Sequence, residues 1–419
     1  MDTTPLRESR DFRLLFTAGT VFYFGGMITY VAIPYQLYTI TGNNLAVGLV
    51  GLVELFPLVV FGLYGGALAD HVDRRRLLIG CGVAQAVLTA FLMLNASFDQ
   101  PRVWIIYVTA FFLAAAQSLQ RPSKEALLPR TVAHDQLMAA NALDGFGMQA
   151  GVLVGPAIGG LLLAHAGATW CYAVDVVGLI VASLMFRAMA GYPHRDETTP
   201  PSLAGIGEGL RYALSRRDLL GTYLVDIAAM VLAIPVVLFP ALAEEIFRHP
   251  ALLGLLYSAE TVGALLATLT SGWTRRVTRH GRAIVIAAAA YGLCIGLAGL
   301  SPSIVLALVL FALAGAADMI SAVFRQTVWN STIPESMRGR LAGIEMLSYS
   351  LGPLGGQVRA GFVADLWSVR GAIASGGFAC VAGVGLTAAW LGDFWGYDSA
   401  TDPYAEAERA RRAADGLQE

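Results

Sequence analysis

Residues 14–40 read LLFTAGTVFYFGGMITYVAIPYQLYTI, and no Asp, Glu, Lys or Arg interrupts them. A helix of roughly 20 such residues crosses the hydrocarbon core of a bilayer, which is about 30 Å thick. The run is too long for the apolar part of a signal peptide and shows no small-residue cleavage site. It therefore predicts a first transmembrane helix. Arg7, Arg10 and Arg13 precede it and predict a cytoplasmic amino terminus.

Similar apolar runs recur along almost the whole chain. Of its 419 residues 56% are hydrophobic and 14% are charged, whereas a soluble domain carries about 25% charged residues. The net charge of -2 is close to neutral, and no basic tract of the kind that binds a phosphate backbone is present. This composition predicts an integral membrane protein and excludes nucleic acid as a partner.

Twelve spans follow from the apolar runs. They are expected at about 12–40, 44–69, 77–97, 102–120, 137–165, 169–190, 218–243, 250–274, 283–300, 303–324, 340–366 and 370–392. Each must be helical, because lipid offers no partner to an unpaired backbone amide and the runs are too long and continuous for barrel strands. The predicted fold class is an all-α membrane protein with twelve transmembrane helices.

The basic residues predict the orientation of these spans. With both termini in the cytoplasm, all but four of the 28 Lys and Arg residues fall on the cytoplasmic side. The exceptions are Arg102, Arg248, Arg359 and Arg370. This distribution follows the positive-inside rule, and a shift by one span would destroy it.

A polar stretch with Pro193, Pro200 and Pro201 divides the spans six and six. It predicts an N-terminal six-helix bundle at 1–190, a cytoplasmic linker at 191–217, a C-terminal six-helix bundle at 218–392 and a cytoplasmic tail at 393–419. The two halves repeat in parallel, since several residues recur 206 positions later. The pairs are Pro34 and Pro240, Gly48 and Gly254, Glu54 and Glu260, and Gly66 and Gly272. Parallel repeats of this kind are found in the two halves of some secondary transporters.

The loop after the second span reads GGALADHVDRRR at residues 65–76. It resembles the cytoplasmic loop signature of the major facilitator superfamily, although Asp73 replaces the usual second glycine. The resemblance implies a conformational latch at Gly66, Asp70, Arg74 and Arg75, in which the aspartate helps to hold the two halves together. The alternative is a solvated charged turn whose basic residues only reflect its position on the cytoplasmic side.

The fifth span carries small residues at helical spacing. They are Gly151, Gly155, Pro156, Gly159 and Gly160. This pattern resembles the motif that the superfamily associates with antiporters and exporters. The alternative is ordinary close packing of helices, which small residues also permit.

The loop RPSKEALLPR at residues 121–130 resembles the branch of the superfamily that contains the enterobactin exporter and macrolide efflux proteins. Arg325-Gln326-Thr327 is a similar piece in the second half, and Arg121 and Arg325 lie at the cytoplasmic ends of their spans. The resemblance covers about residues 11–392. It implies two pseudo-symmetric bundles in which spans 1, 4, 7 and 10 line a central cavity.

Six of the acidic residues within predicted spans are candidates for function. They are Glu54, Glu260, Asp226, Asp318, Asp144 and Glu345. A charge in the bilayer costs several kcal/mol unless it faces a cavity or a partner, so these acids are candidates for proton coupling or substrate binding. The alternative is that some of them pair with Arg121 or Arg325 and only stabilise the fold.

No catalytic triad, P-loop or metal-ligand spacing is found in the sequence, which argues against an enzyme, an ATP-driven pump and a bound cofactor. The sequence predicts a secondary transporter of a bacterial plasma membrane. We expect a monomer, which is the usual state of proteins with this fold. We expect export of a small amphipathic molecule, a siderophore or an antibiotic-like drug, by proton antiport. The alternatives are a proton-coupled uptake symporter, a flippase for a lipid-like substrate, and a sensor that binds without transport.

Overall fold

The computed structural model describes residues 2–71, 73–192 and 211–414, with side chains described outside 62–71, 335–340, 342–349 and 412–414. Within these residues the secondary structure is helical and no strand occurs. Twelve long helices are present in this part of the chain. They are α1 (Arg10–Thr41), α2 (Asn44–His71), α3 (Arg74–Ala96), α4 (Val103–Leu127), α5 (Leu137–Ala166), α6 (Ala168–Ala188), α7 (Arg217–Ala233), α8 (Leu253–Leu269), α9 (His280–Leu300), α10 (Ile304–Thr332), α11 (Glu335–Leu366) and α12 (Val369–Trp390).

Eleven segments of the described chain are long and apolar enough to cross a membrane. The predicted eleventh span, at about 340–366, lies in α11, whose 32 residues make it about 48 Å long at 1.5 Å per residue. The predicted all-α membrane fold is confirmed.

Local sequence explains where several helices begin and end. Side chains of Ser9, Asp73, Ser303 and Ser368 accept hydrogen bonds from the free backbone N–H groups at the starts of α1, α3, α10 and α12. Gly42 ends α1 in the left-handed conformation, at φ 59°, which glycine adopts without steric cost.

The seventh span, expected as one helix, is interrupted. The α7 helix ends at Ala233, and Pro235 explains why: proline has no N–H to donate and disfavours helical backbone at the preceding residue. Beyond it the chain forms a 3-10 turn at Val236–Leu238, one turn of α-helix at Phe239–Ala241 and a π-helical turn at Leu242–Ile246.

The chain forms two compact units. Unit 1 consists of Met1–Pro201 together with Phe239–Ser258, and unit 2 of Ser202–Leu238 together with Ala259–Glu419. We call Phe239–Ser258 the junction segment. It follows the break after α7 and includes the first residues of α8. The domain boundaries expected from the sequence stay a prediction, since most of the expected linker lies outside the described residues.

Helix packing follows one scheme in both units. In unit 1, α1 packs against α5 and α6, α3 packs against α4 and α6, and α2 packs against α4. In unit 2, α7 packs against α11 and α12, and α9 packs against α10 and α12. The α8 helix meets α10 where Gly315 lies so close to Glu260 that a Cβ on the glycine would overlap the glutamate backbone. The parallel repeat seen in the sequence is therefore matched by the packing.

The tail of the chain is part of unit 2. Phe394 is 1% exposed, and its ring fills space left by Gly221 of α7, while its backbone lies against Gly281 of α9. The ring of Tyr404 lies 3.3 Å from the guanidinium carbon of Arg216, just before α7. Burial lowers the pKa of Arg216, but its hydrogen bond and ion pair with Asp218 outweigh this and leave the pKa raised. The tail therefore holds the start of α7 to the start of α9.

The predicted orientation is testable at two exposed loop positions. Gln100, between α3 and α4, should face the outside, and Asp135, between α4 and α5, should face the cytoplasm. A cysteine at Gln100 should react with a membrane-impermeant maleimide in intact cells, whereas one at Asp135 should react only after permeabilisation. Both should be introduced into a parent in which Cys81, Cys171, Cys294 and Cys380 are replaced by serine. Labelling of the Asp135 position in intact cells would contradict the topology.

Candidate transport site

Three charged side chains of unit 2 meet at one place. Nη2 of Arg325, on α10, lies 2.9 Å from Oδ1 of Asp226 on α7 and 3.8 Å from Oδ1 of Asp318 on its own helix. Arg325 also donates a hydrogen bond of 3.1 Å to the hydroxyl of Ser321. Residues 318, 321 and 325 are three and four positions apart and therefore share one face of α10. We call Arg325, Asp226 and Asp318 the charge cluster.

The members of the charge cluster differ in exposure. The side chains of Arg325 and Asp226 are each 2% exposed, whereas that of Asp318 is 38% exposed. One guanidinium thus serves two carboxylates, so the cluster has an excess negative charge when both are ionised. Charges out of water are costly unless they are paired. Asp318 is the member that an incoming proton or cationic group can reach.

A fourth acid lies beside the same helix. Glu260, on α8, has a buried Oε1 with no hydrogen-bond partner among the described residues. Its backbone packs against Gly315, three residues before Asp318 on α10. An unsatisfied buried carboxyl oxygen is unfavourable, and a bound proton would remove the charge. The structure therefore brings together three of the six candidate acids, Asp226, Asp318 and Glu260.

In unit 1 the corresponding acid is placed differently. Glu54 on α2, the sequence counterpart of Glu260, is half-buried and forms no hydrogen bond or ion pair with the described residues. Asp144 on α5 forms an ion pair with Lys124 of α4, with 2.6 Å between Nζ and Oδ1. The Lys124 ammonium also lies 5.2 Å from the ring centroid of Tyr23 on α1.

Lys124 is a member of the site that the sequence does not predict. The signal for it was weak, because a lysine beside Arg121 and Arg130 is typical of a solvated cytoplasmic loop. In the structure α4 extends to Leu127, and Lys124 points toward Gly19 of α1. Its ammonium group occupies the space that a side chain at position 19 would fill.

The two arginines that the sequence aligns are not equivalent. Arg325 is buried in the charge cluster, whereas Arg121 is exposed and pairs at 3.0 Å with Glu125, one turn along its own helix. The expectation that candidate acids pair with an arginine holds for Arg325 with Asp226. In unit 1 the cation that pairs with a candidate acid, Asp144, is Lys124.

The small residues of the fifth span contact two parts of unit 1, the helix α1 and the junction segment. Gly151, Gly155 and Gly159 pack along α1, against Tyr23, Met27 and Ile28, where a Cβ on any of them would crowd the neighbouring helix. Gly160 instead faces Gly254 of the junction segment. Pro156, inside α5, presents its carbonyl oxygen to the same glycine. The pattern is thus used for close packing, and its association with antiport stays a prediction.

The arginines of the loop motif bind helix ends. Arg74 donates to the carbonyl of Ala126 at the end of α4, at 3.3 Å, and Arg75 donates to the carbonyls of Phe186 and Arg187 at the end of α6. Cations at these positions neutralise the free carbonyls of a helix terminus. The side chains of Asp70 and Glu345 and the surroundings of Gly66 lie outside what the structure describes, so the latch at Asp70 stays a prediction.

Two further acids, Glu244 and Glu245 in the junction segment, were not among the candidates. They accept hydrogen bonds from tyrosines of α1. In the sequence they read as ordinary residues at the end of a span, and nothing there indicated that the chain turns at this point to contact α1.

Comparison with known proteins agrees with this architecture. Residues 2–393 match the model of a family described as transmembrane secretion effector. The enterobactin exporter EntS of Shigella boydii serotype 18 (strain CDC 3083-94 / BS512) is 29% identical over 377 residues, which are 90% of this chain and 91% of the relative. EntS of Escherichia coli O139:H28 (strain E24377A / ETEC) is 28% identical over the same shares.

Solved structures share the fold at low sequence identity. A bacterial homologue of the iron transporter ferroportin superposes with a TM-score of 0.74 at 15% identity, covering 92% of this chain and 98% of that one. A bacterial homologue of the human lysosomal transporter Spinster gives a TM-score of 0.70 at 15% identity, covering 98% of each chain. Because the match to the family model spans nearly the whole chain, the protein is a membrane transporter of the transmembrane secretion effector family within the major facilitator superfamily.

Proposed function

We propose that the protein exports a small amphipathic molecule, a siderophore or an antibiotic-like drug, across the bacterial inner membrane by proton antiport. The observation that carries this proposal is the sharing of Arg325 between Asp226, which is fully buried, and Asp318, which is partly exposed. The names of the relatives as enterobactin exporters support the direction of transport and the siderophore class.

The charge cluster supports proton exchange by a simple argument. With both aspartates ionised it has one negative charge more than Arg325 balances, and this charge is stabilised either by a proton on Asp318 or by a polar or cationic group of the substrate. The two ligands compete for one carboxylate. Competition of this kind is what an antiporter requires, since the transporter then carries one ligand in each direction.

Glu260 gives the cluster a second group that can bind a proton, because its Oε1 lacks a partner within the described residues. Asp144 and Glu54 are the corresponding candidates in unit 1. Alternating exposure of one site to the two sides of the membrane, as a monomer, is the mechanism that the superfamily's parallel repeats support. Uptake by symport and lipid flipping would use the same acids in a different order of binding.

Transport of a named probe tests the proposal. Everted membrane vesicles that contain the protein should accumulate enterobactin, or a macrolide as a second probe, when their interior is made acidic, because protons leaving the vesicle would drive the substrate in. Vesicles without the protein and vesicles treated with a protonophore are the controls. Accumulation in right-side-out vesicles instead would indicate uptake, and binding without counterflow would indicate a sensor.

Removing single titratable groups should separate coupling from binding. D318N and E260Q should abolish accumulation driven by the pH gradient, since an amide keeps the size and polarity of the acid but binds no proton. Exchange of labelled for unlabelled substrate should persist in E260Q and weaken in D318N, because the substrate also binds the Asp318 carboxylate. D393N and E125Q, at exposed ion pairs, are the matched controls and should accumulate substrate as the parent does. Gradient-driven accumulation by D318N would exclude Asp318 from the coupling.

Substitutions at the buried ion pair should lower the free energy of unfolding more than a substitution at an exposed pair does. R325Q removes the guanidinium that Asp226 and Asp318 share and should lower the free energy of unfolding by about 3–5 kcal/mol. D226N should cost less, because Asp318 remains 3.8 Å from the guanidinium. R217Q, at an exposed pair with Asp393, should change stability by less than about 1 kcal/mol. Denaturant unfolding in detergent measures all three, and equal effects of R325Q and D226N would contradict the shared arginine.

A further inference from the structure

The α6 helix carries a buried acid that the proposed function does not use. Asp175 is 3% exposed. Its Oδ2 accepts a hydrogen bond of 2.5 Å from the hydroxyl of Thr29 on α1. Its Oδ1 is buried without a hydrogen-bond partner among the described residues and lies against Gly25, one turn before Thr29, where a Cβ would overlap it. The carboxyl group is therefore enclosed between α1 and α6.

No cation within the described part of the chain balances this carboxyl group. The helices packed against α6 are α1, α3 and α5, and none of their charged side chains acts on Asp175. These side chains are Arg10, Asp11 and Arg13 at the start of α1, Arg74, Arg75 and Arg76 at the start of α3, Asp144 beside Lys124, and His165 at the end of α5. The tyrosines of α1 contact other groups, namely Lys124, Tyr257, Glu244 and Glu245, and Cys81 of α3 lines a cavity against α4. The titratable groups near Asp175, Cys171 and Tyr172, belong to its own helix.

These surroundings favour the neutral form of the acid. A buried carboxylate without a cation costs far more free energy than one hydrogen bond from a neutral hydroxyl returns. A proton on the carboxyl group removes the charge, and water that entered between α1 and α6 would instead stabilise the charge. The protonation of Asp175 is thus tied to the contact between the two helices.

A second polar bond joins the same helices. Tyr172 lies three residues before Asp175, on the same face of α6. It donates its hydroxyl to Oε1 of Gln36 on α1 at 2.8 Å, and both side chains are buried. Neither a tyrosine nor an amide exchanges a proton near neutral pH. Of the two bonds, only that of Asp175 contains a group that can follow a proton gradient.

The α1 helix also contacts the ion pair of unit 1. The ammonium of Lys124 lies against Gly19, and the carboxyl group of Asp175 lies against Gly25. These glycines are six residues apart, which is about 9 Å along a helix. At both positions the polar group touches the helix where no side chain intervenes. A displacement of α1 therefore changes the surroundings of Asp175 and of the Lys124–Asp144 pair together.

We propose that Asp175 is a further proton-binding group of the transporter, which holds its proton while α1 packs on α6 and releases the proton to water when the two helices separate. The inference rests on the proposed function, because it assigns this acid to the proton side of the antiport. Asp175 differs from Asp318, where proton and substrate compete for one carboxylate. It is a positioning residue, since its proton acts on the substrate only through the position of α1.

Infrared spectroscopy of the full-length protein in detergent tests the proton on Asp175 and needs no substrate. The parent for this test carries D318N and E260Q, so that these two carboxyl groups do not contribute. It should show the C=O band of a protonated carboxyl group, and this band should disappear as the pH is raised. D175N should lose that component. Y172F, the matched control in the same helix contact, should keep it.

Two results of this measurement would overturn the proposal. One is a D175N spectrum identical to that of the parent, and the other is a band that persists until the protein unfolds, since the proton would then never be exchanged. T29V covers the case that D175N does not fold. It removes the hydrogen bond to the carboxyl group and should shift the frequency of the same component, and an unshifted band would also contradict the assignment.

Proton counting tests the role of Asp175 in transport. In proteoliposomes D175N should move about one proton fewer per substrate than the unmodified protein, measured with a pH-sensitive dye beside the uptake of labelled enterobactin. Y172F should move as many protons as the unmodified protein. The melting temperature of D175N should stay near that of the unmodified protein, because the amide keeps the shape of the acid and still accepts from Thr29.

A purely structural role would leave the proton count of D175N unchanged, and this outcome would overturn the proposal. The two proposals can fail separately. If enterobactin is not transported while the Asp175 band still titrates with pH, the export proposal is contradicted and the proton site at Asp175 is retained.

Discussion

Hydrocarbon offers no hydrogen-bond partner to a peptide group, and this constraint explains most of the fold. Each span is a helix because a helix satisfies its own backbone. Where Pro235 breaks the seventh span, the irregular residues are covered by protein. Val237, Leu238 and Phe239 are all at most 2% exposed. At this break the chain leaves regular helical geometry where protein covers it, and the residues that follow, Phe239–Ser258, belong to unit 1.

Charges meet the same constraint in two ways. In unit 1 a lysine and an aspartate balance one another, with Lys124 and Asp144 both partly exposed. In unit 2 one arginine is shared by two aspartates, and one of these remains accessible. The packing schemes of the units are alike, but their charges are not. The excess of negative charge in the charge cluster explains why the main site of the proposed proton coupling is assigned to unit 2.

Composition and charge distribution predicted where the spans lie, because the cost of burying polar groups in lipid outweighs most local preferences. The interruption of the seventh span before Pro235 was not predicted. Composition and charge distribution also predicted Asp226, Asp318 and Glu260 as candidates for coupling or binding, because an acid within a span requires a partner or a cavity; the structure brings these three acids together, and their role stays a prediction. They did not predict the geometry. Lys124 has the sequence surroundings of a solvated loop residue. Arg121 and Arg325 differ in their ion-pair partners because these depend on helix rotation, which the spacing of residues does not fix.

The junction segment was missed for a related reason. A proline near the end of an apolar run is common in membrane helices, where it often produces only a kink. Nothing local distinguishes a kink from a change of packing partner. The contacts that decide it, Tyr35 with Glu244 and Gly160 with Gly254, join residues far apart in the chain. They could be recognised only once the helices were placed.

Unit 1 is built from two separate segments of the chain, and this has a consequence for the order of its synthesis and folding. Its last residues, Phe239–Ser258, are synthesised after α7, which belongs to the other unit. At 5–20 residues per second, the ribosome needs about 3–11 s to pass from Pro201 to Ser258. Until the junction segment has been synthesised, Tyr35, Tyr38 and Gly160 lack the partners that they contact in the folded protein. Unit 1 can therefore be completed only after synthesis of unit 2 has begun.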